Sequence, residues 1–275
     1  MKHNNDPATR SGFYMGIDIG SLSCDAVIID DLLSMRGFSV VPTGARNTEA
    51  IRRATTEALN QAGLSDDDIL ATISTGYGRN RVEEKLAAVT EITCHARGII
   101  HLLPETRLLI DIGGQDSKAV RLGPDGRVTD FAMNDKCAAG TGRFLEAMAR
   151  ALEVDIDQMA TLDKGARENL TLSSMCTVFA ESEAVSLIAG GKPINEIARG
   201  LNRSIASRIL ALVRRVAGDD LSALPTAMSG GVARNAGVVR ALSEALGTPV
   251  HVPGHPDLVG ALGAALIALE RSDRM

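Results

Sequence analysis

Ile17-Asp18-Ile19-Gly20 returns later in the chain as Ile110-Asp111-Ile112-Gly113, an offset of 93 residues, and the same offset carries Ala26-Val27 onto Ala119-Val120. Two strand–turn–strand units of equal length, each with Asp-x-Gly at its turn, predict a duplicated domain. In the first unit Phe13 to Ile19 reads as a buried strand and Ala26 to Ile29 as a second one. Helical periodicity over Ala50 to Ala62 stops at Gly63, and an apolar strand from Leu70 to Ser74 leads into Thr75-Gly76-Tyr77-Gly78. In the second unit Leu108 to Ile112 runs into Gly113-Gly114. Lys118 to Leu122 and Val128 to Met133 flank Pro124-Asp125-Gly126, a hairpin turn. From Arg143 the pattern is helical, with Phe144, Leu145, Met148 and Leu152 on one face. Ile194, Ile197, Leu201, Ile205, Ile209, Leu212 and Val216 then predict one long core helix. A strand (Thr226 to Met228), Gly230-Gly231, a helix (Ala236 to Leu246), a strand (Val250 to Val252) and a terminal helix from Leu258 complete a mixed α/β order.

The bulk composition narrows the classes of function. Hydrophobic residues make up 45% and charged residues 23% of 275, ordinary for a globular protein with a sizeable core. A net charge of −5 gives no reason to expect nucleic acid or an anionic membrane as partner, and with no Trp and two Tyr, stacking platforms for single strands are scarce. No apolar run approaches the roughly 20 residues that cross a bilayer. Met1 to Gly12 is polar, reads as a disordered tail and lacks the core of a secretion signal, so the cytoplasm is the expected compartment. There, Cys24, Cys94, Cys137 and Cys176 are core residues, metal ligands or redox groups rather than a disulfide framework.

A strand ending in Asp-Ile-Gly-Ser sets backbone N–H groups and a hydroxyl in a tight turn, and glycine lets a phosphate approach them. A carboxylate at the strand end suits a hydrated Mg²⁺, which takes few carboxylates and several waters. The chain offers this twice, with Asp18 in one unit and Asp111 plus Asp116 in the other. Ser229-Gly230-Gly231-Val232-Ala233, between a strand and a helix, suits the adenosine side of a nucleotide. Each turn alone is often only a turn; three in this order point to nucleotide binding. A Gly-x-x-x-x-Gly-Lys-Ser/Thr loop and a Gly-x-Gly-x-x-Gly opening after the first strand are both missing, so this is neither a P-loop protein nor an obvious dinucleotide binder.

The three turns resemble the phosphate and adenosine motifs of the superfamily of acetate kinases, sugar kinases, heat-shock chaperones and actin. That resemblance implies an α/β fold of duplicated ribonuclease-H-like domains, the actin-like ATPase fold, with ATP or ADP in the interdomain cleft. The expected division is a first lobe over 13–103, with a C-terminal helix at 257–270 packing back on it, and a second lobe over 104–256 carrying Cys137 and Cys176. Met133-Asn134-Asp135-Lys136-Cys137-Ala138-Ala139-Gly140-Thr141-Gly142-Arg143-Phe144 and Ser173-Ser174-Met175-Cys176-Thr177-Val178-Phe179-Ala180-Glu181-Ser182-Glu183 narrow the branch. They resemble the ATP-dependent activators of 2-hydroxyacyl-CoA dehydratases and the related ATPase subunits of benzoyl-CoA reductases, over about Tyr14 to Leu269.

The resemblance implies an ATPase that donates one electron at low potential to an acyl-CoA dehydratase or reductase protein. It also implies a ferredoxin or flavodoxin as the electron source, and a homodimer holding one [4Fe–4S] cluster through Cys137 and Cys176 of each chain. A cubane normally takes four thiolates, and a two-fold axis doubles the two available here. Both cysteines precede helical stretches, whose free N–H groups favour an anionic cluster. Without their flanks they read equally as small buried hydrophobes. By the same resemblance Asp18, Asp111 and Asp116 position metal and water, while Gly20, Ser21, Leu22, Ser23, Gly113 and Gly114 line the phosphates. Gln115 meets the β or γ phosphate, Gly230 and Gly231 meet the nucleoside, and Gly140 and Gly142 complete the cofactor-binding set. Lys136 and Arg143 flank the cluster. Cys94-His95 reads as a core cysteine beside a polar histidine. One departure stands out: relatives often carry Lys where this chain has Asp25, and a carboxylate beside phosphates is useful only if it points away or binds metal. A small-molecule kinase or a metal-free chaperone of the same fold remains the reading of another class.

Overall fold

The strand Phe13–Ile19 (β1) is apolar on both faces and buried along nearly its whole length, as a central strand covered on both sides must be. It pairs antiparallel with Ser23–Asp30 (β2), which pairs with Met35–Pro42 (β3). On its other side β1 runs parallel to Ile69–Thr75 (β4), and Ala87–Ala88 (β5) closes the sheet in the order β3-β2-β1-β4-β5. The second sheet is built from Leu108–Ile112 (β6), Ser117–Leu122 (β7), Val128–Asn134 (β8), Thr226–Ser229 (β9) and Val250–His251 (β10), in the order β10-β9-β6-β7-β8. Strand for strand this is the first sheet again, with β6 in the place of β1. The computed structural model describes residues 12–82, 86–168, 170–172, 176–218, 221 and 224–272. The tail expected over 1–12 lies outside them apart from Gly12, as do Ser173, Ser174 and Met175 of the second cysteine segment.

Helix Asn47–Ala62 (α1) covers one face of the first sheet and ends where Gly63 turns left-handed at φ 69°. The helix that follows each sheet's last strand, Glu91–Leu102 (α2) and, at the chain's end, Val259–Ser272 (α7), lies between the sheets. α7 is buried from Val259 to Ala268 and packs on β1, β2 and β4; α2 sets Ala96 and Ile99 against Leu109, Val120 and Ala227 of the second sheet. The two helices cross at Gly98 and Gly263. A methyl group on Gly263 would lie 1.8 Å from the Cys94 carbonyl, so only glycine allows this approach.

Between β8 and β9 the second lobe carries Gly142–Ala151 (α3), Thr177–Ala189 (α4) and Ile194–Ala217 (α5), and Ala236–Leu246 (α6) joins β9 to β10. Phe144, Leu145 and Met148 of α3 and its C-cap residue Leu152 meet Ile197, Leu201, Ile205 and Ile209 of α5 in one core. Among the described residues no helix is long and apolar enough to cross a membrane.

Candidate functional site

Both Asp-x-Gly turns open at the same place, a cleft of about 570 Å³ between the two sheets. β1 delivers Asp18 and β6 delivers Asp111 to its floor, both nearly buried. Between them stands His95 of α2. Its Nε2 lies 3.3 Å from Asp18 Oδ2 and its Nδ1 3.3 Å from Asp111 Oδ1, so one imidazole joins the equivalent carboxylates of the two halves. Ser229 Oγ donates to Asp111 Oδ1 at 2.7 Å and lies 3.2 Å from His95 Nδ1. Burial alone would depress the His95 pKa, but Asp111 and Asp18 outweigh it and raise it to about 9. The same contacts work on Asp111: burial favours its neutral form, yet His95 and Lys118 hold it down to about 2.

Lys118 completes the second half. Its Nζ lies 2.6 Å from Asp116 Oδ2, 3.2 Å from Asp111 Oδ2 and 3.5 Å from Glu91 Oε2. Burial opposes its charge, and these three carboxylates more than restore it, keeping the ammonium protonated. The first half is built on the opposite sign. Asp25 faces Asp18 across β1 and β2 as Lys118 faces Asp111 across β6 and β7. Burial and then Asp18 push the Asp25 carboxyl well above its usual range.

The glycine turns also repeat. Gly76 after β4 and Gly230 after β9 have φ of 82° and 84°. A side chain at either would strike a carbonyl at 2.5 Å or less: that of Ile19 for Gly76, that of Ile112 for Gly230. The backbone therefore lies flat on each Asp-x-Gly turn, which leaves the cleft wide enough for a ligand. Gly20, Ser21, Leu22, Ser23, Gly113, Gly114, Gly142, Gly230 and Gly231 all line the cleft, together with Asp18, Asp111 and Asp116. Gln115 is exposed and Gly140 is buried against Arg208; neither lines it. Residues not singled out beforehand do: His95, Glu91, Tyr77, and Arg234, whose Nε donates to Asp257 Oδ2 at 2.6 Å. His95, read as a polar neighbour of a core cysteine, is a buried bridge in the cleft floor. Its sequence signal was thin, one histidine on a helix with no motif around it.

The cysteines fall into two kinds. Cys24 and Cys94 are fully buried, and burial pushes both thiols up to about 12. Cys137 and Cys176 are half-buried, and none of the four is in a disulfide. Cys176 is the N-cap residue of α4, and Cys137 lies in the loop before α3, where its carbonyl accepts from Asn134 Nδ2 at 2.9 Å. That loop is tied to the second phosphate turn. Gly142 N–H donates to the Gly113 carbonyl at 2.9 Å, Arg143 N–H to the Gly114 carbonyl at 3.0 Å, and Thr141 Oγ1 to Gly114 at 2.9 Å. The Leu22 side chain, from the first lobe's turn, sits where a methyl on Gly114 would be. Both turns and the cysteine loop thus meet at one point.

A two-lobed fold with paired Asp-x-Gly turns and a glycine turn for the third contact defines a nucleotide-cleft protein of the actin-like ATPase type. The chain belongs to the BadF/BadG/BcrA/BcrD ATPase family, whose model matches residues 15–268. It is 46% identical over 262 residues to an activator of lactoyl-CoA dehydratase from Anaerotignum propionicum, covering 95% of this chain and 99% of the relative. Among solved structures it is similar, at 40% identity and a TM-score of 0.89, to the activator of the 2-hydroxyisocaproyl-CoA dehydratase from Clostridium difficile with bound ADPNP; 95% of this chain and 96% of that one are covered. Component A of the Acidaminococcus fermentans (R)-2-hydroxyglutaryl-CoA dehydratase matches at 40% identity and a TM-score of 0.90, over 96% of this chain and 100% of that one.

Proposed function

We propose that this ATPase is the reductive activator of a 2-hydroxyacyl-CoA dehydratase, a homodimer in which Cys137 and Cys176 of each chain hold one [4Fe–4S] cluster. The observation that carries the reading is the set of hydrogen bonds from Thr141, Gly142 and Arg143 to Gly113 and Gly114. A nucleotide that moves the second phosphate turn moves the Cys137 loop with it. ATP and the dehydratase partner come from the named activators at 40–46% identity.

The residues present fit the cluster. Cys137 and Cys176 are the two cysteines with access to solvent, both in the second lobe, and Cys176 sits at a helix N-terminus, whose N–H groups suit an anionic cluster. Cys24 and Cys94 are enclosed elsewhere with thiols held protonated, so one chain supplies two ligands and a cubane needs four. A two-fold axis beside α4 supplies the second pair. The exposed apolar side chains Val178 and Phe179, each 66% exposed in the single chain, support such an interface. When bound, the cluster would supply a single electron at low potential, delivered to the dehydratase and replenished by a ferredoxin or flavodoxin.

The chain's own residues do the rest. Gly20 to Ser23 and Gly113-Gly114 receive the polyphosphate; Asp18, Asp111 and Asp116 would hold its hydrated Mg²⁺, which would polarise the phosphate towards water; Gly230 and Gly231 receive the nucleoside. His95 holds the two aspartates at a fixed spacing, so closure of one lobe is felt by the other. The test is anaerobic purification with iron and sulfide analysis, followed by ATP-dependent activation of a purified 2-hydroxyacyl-CoA dehydratase. About four irons and four sulfides per dimer are expected. Iron-free protein that hydrolyses ATP and phosphorylates an added sugar or acid would replace this reading with that of a kinase.

A further inference from the structure

The two halves of the cleft repeat in backbone and differ in charge at one position. In β6 and β7 the cross-strand pair is Asp111 and Lys118; in β1 and β2 it is Asp18 and Asp25, at the same register. Like charges directly opposite each other on a sheet repel. In the second half the Lys118 ammonium lies within 3.2 Å of both Asp111 and Asp116 and answers their charge. In the first half, among the described residues, no side chain forms an ion pair with Asp25. His95 meets Asp18 but is shared with Asp111.

Asp25 is 5% exposed and lines the cleft. One of its oxygens, Oδ2, accepts from Ser23 Oγ at 3.1 Å; the other, Oδ1, is buried with no hydrogen-bond partner. A carboxylate oxygen left so is costly unless something meets it. The cleft is also acidic where a polyphosphate must enter, so the missing partner has to be positive. Two carboxylates, paired across β1 and β2 and both lining the cleft, match what a hard divalent cation accepts.

We propose that Asp25 and Asp18 form an inner-sphere site for Mg²⁺ or Mn²⁺ in the first phosphate turn, with the cation standing where the Lys118 ammonium stands in the second. The site shares Asp18 with that of the hydrated Mg²⁺ that travels with the nucleotide and differs from it in using Asp25. It makes the first turn's affinity for phosphate depend on a cation bound beforehand, while the second turn carries its cation covalently. The inference extends the nucleotide reading of the same cleft.

The test uses the full chain without nucleotide, titrated with Mn²⁺ while the electron paramagnetic resonance of free Mn²⁺ is followed. Wild type is expected to bind one Mn²⁺ per chain with a dissociation constant below about 1 mM. Asp25→Asn should weaken that binding by about tenfold or more. Asp25→Lys should abolish it. Because no nucleotide is present in the titration, its failure leaves ATP binding, followed separately with a fluorescent analogue, standing. Wild type that takes up no Mn²⁺ over this range, or Asp25→Asn that titrates like wild type, overturns the proposal. Thermal melts of both variants check folding, and removing a repelling charge should not lower them.

Discussion

Replacing His95 by glutamine should strip the protein of a pH-dependent share of its stability, because the wild-type imidazole is held charged between two carboxylates. Its pKa is raised from 6.5 to about 9 by Asp111 and Asp18 against the effect of burial. A group raised in the folded state stabilises fully below its unfolded pKa and loses that contribution as pH climbs through the folded one. The window therefore runs from about pH 6.5 to pH 9. The gap between the two values corresponds to roughly 3 kcal/mol. Glutamine keeps a donor and much of the shape but cannot carry the charge. Urea unfolding of wild type and His95→Gln, without nucleotide and with EDTA, should show the wild-type advantage shrinking by roughly 3 kcal/mol between pH 6 and pH 9.5. In midpoint this is about 1 M urea. Groups that titrate alike in both proteins, such as Cys24 and Cys94, cancel in the difference. Curves that stay parallel across the range would mean that His95 is neutral in the fold and that the bridge between Asp18 and Asp111 is not ionic.

Cys137→Ala and Cys176→Ala should each remove the iron from anaerobically purified protein while ATP still binds; a variant that keeps its full iron refutes that ligand. Thr141→Val deletes the hydroxyl that the Ala138 carbonyl at 2.7 Å and the Gly114 carbonyl at 2.9 Å share. At a cost of about 1 kcal/mol it should loosen the link between phosphate turn and cysteine loop. ATP hydrolysis should persist while ATP-dependent dehydratase activation falls, and a proportional loss of both would contradict the link. Gly230→Ala puts a methyl 2.3 Å from the Ile112 carbonyl at φ 84°, which should cost about 1–3 kcal/mol and weaken ATP binding in a fluorescence titration.

The repeat of Ile-Asp-Ile-Gly was enough to read the duplication, because apolar runs ending in Asp-x-Gly are strong local signals and the offset ties them together. Strands β1 and β6 and helices α5 and α6 came out within a residue or two for the same reason. β3 left no such trace: Met35-Arg36-Gly37-Phe38-Ser39 mixes exposed, buried and glycine positions, and its pairing with β2 decides its state. β5 is two alanines long and exists only as an edge partner of β4. In the site, Asp18, Asp111 and Asp116 were legible because turn chemistry is local. His95 was not, because its two partners lie on different sheets and meet it only once α2 is packed between them. Asp25 was visible as a departure from relatives that often carry Lys there; its register opposite Asp18, equivalent to that of Lys118 opposite Asp111, gave that departure a physical meaning. Gln115, between Gly114 and Asp116 in the same turn, is exposed and is not among the residues that line the cleft.

The most direct test of the coupling between nucleotide and cysteines is the rate at which a chelator removes iron from the anaerobically purified protein, with and without Mg-ATP. Movement of Gly113-Gly114 passed on through Thr141, Gly142 and Arg143 to the Cys137 loop should change that rate several-fold. Iron that leaves at the same rate in both states, from protein that demonstrably binds ATP, would contradict the link at its centre.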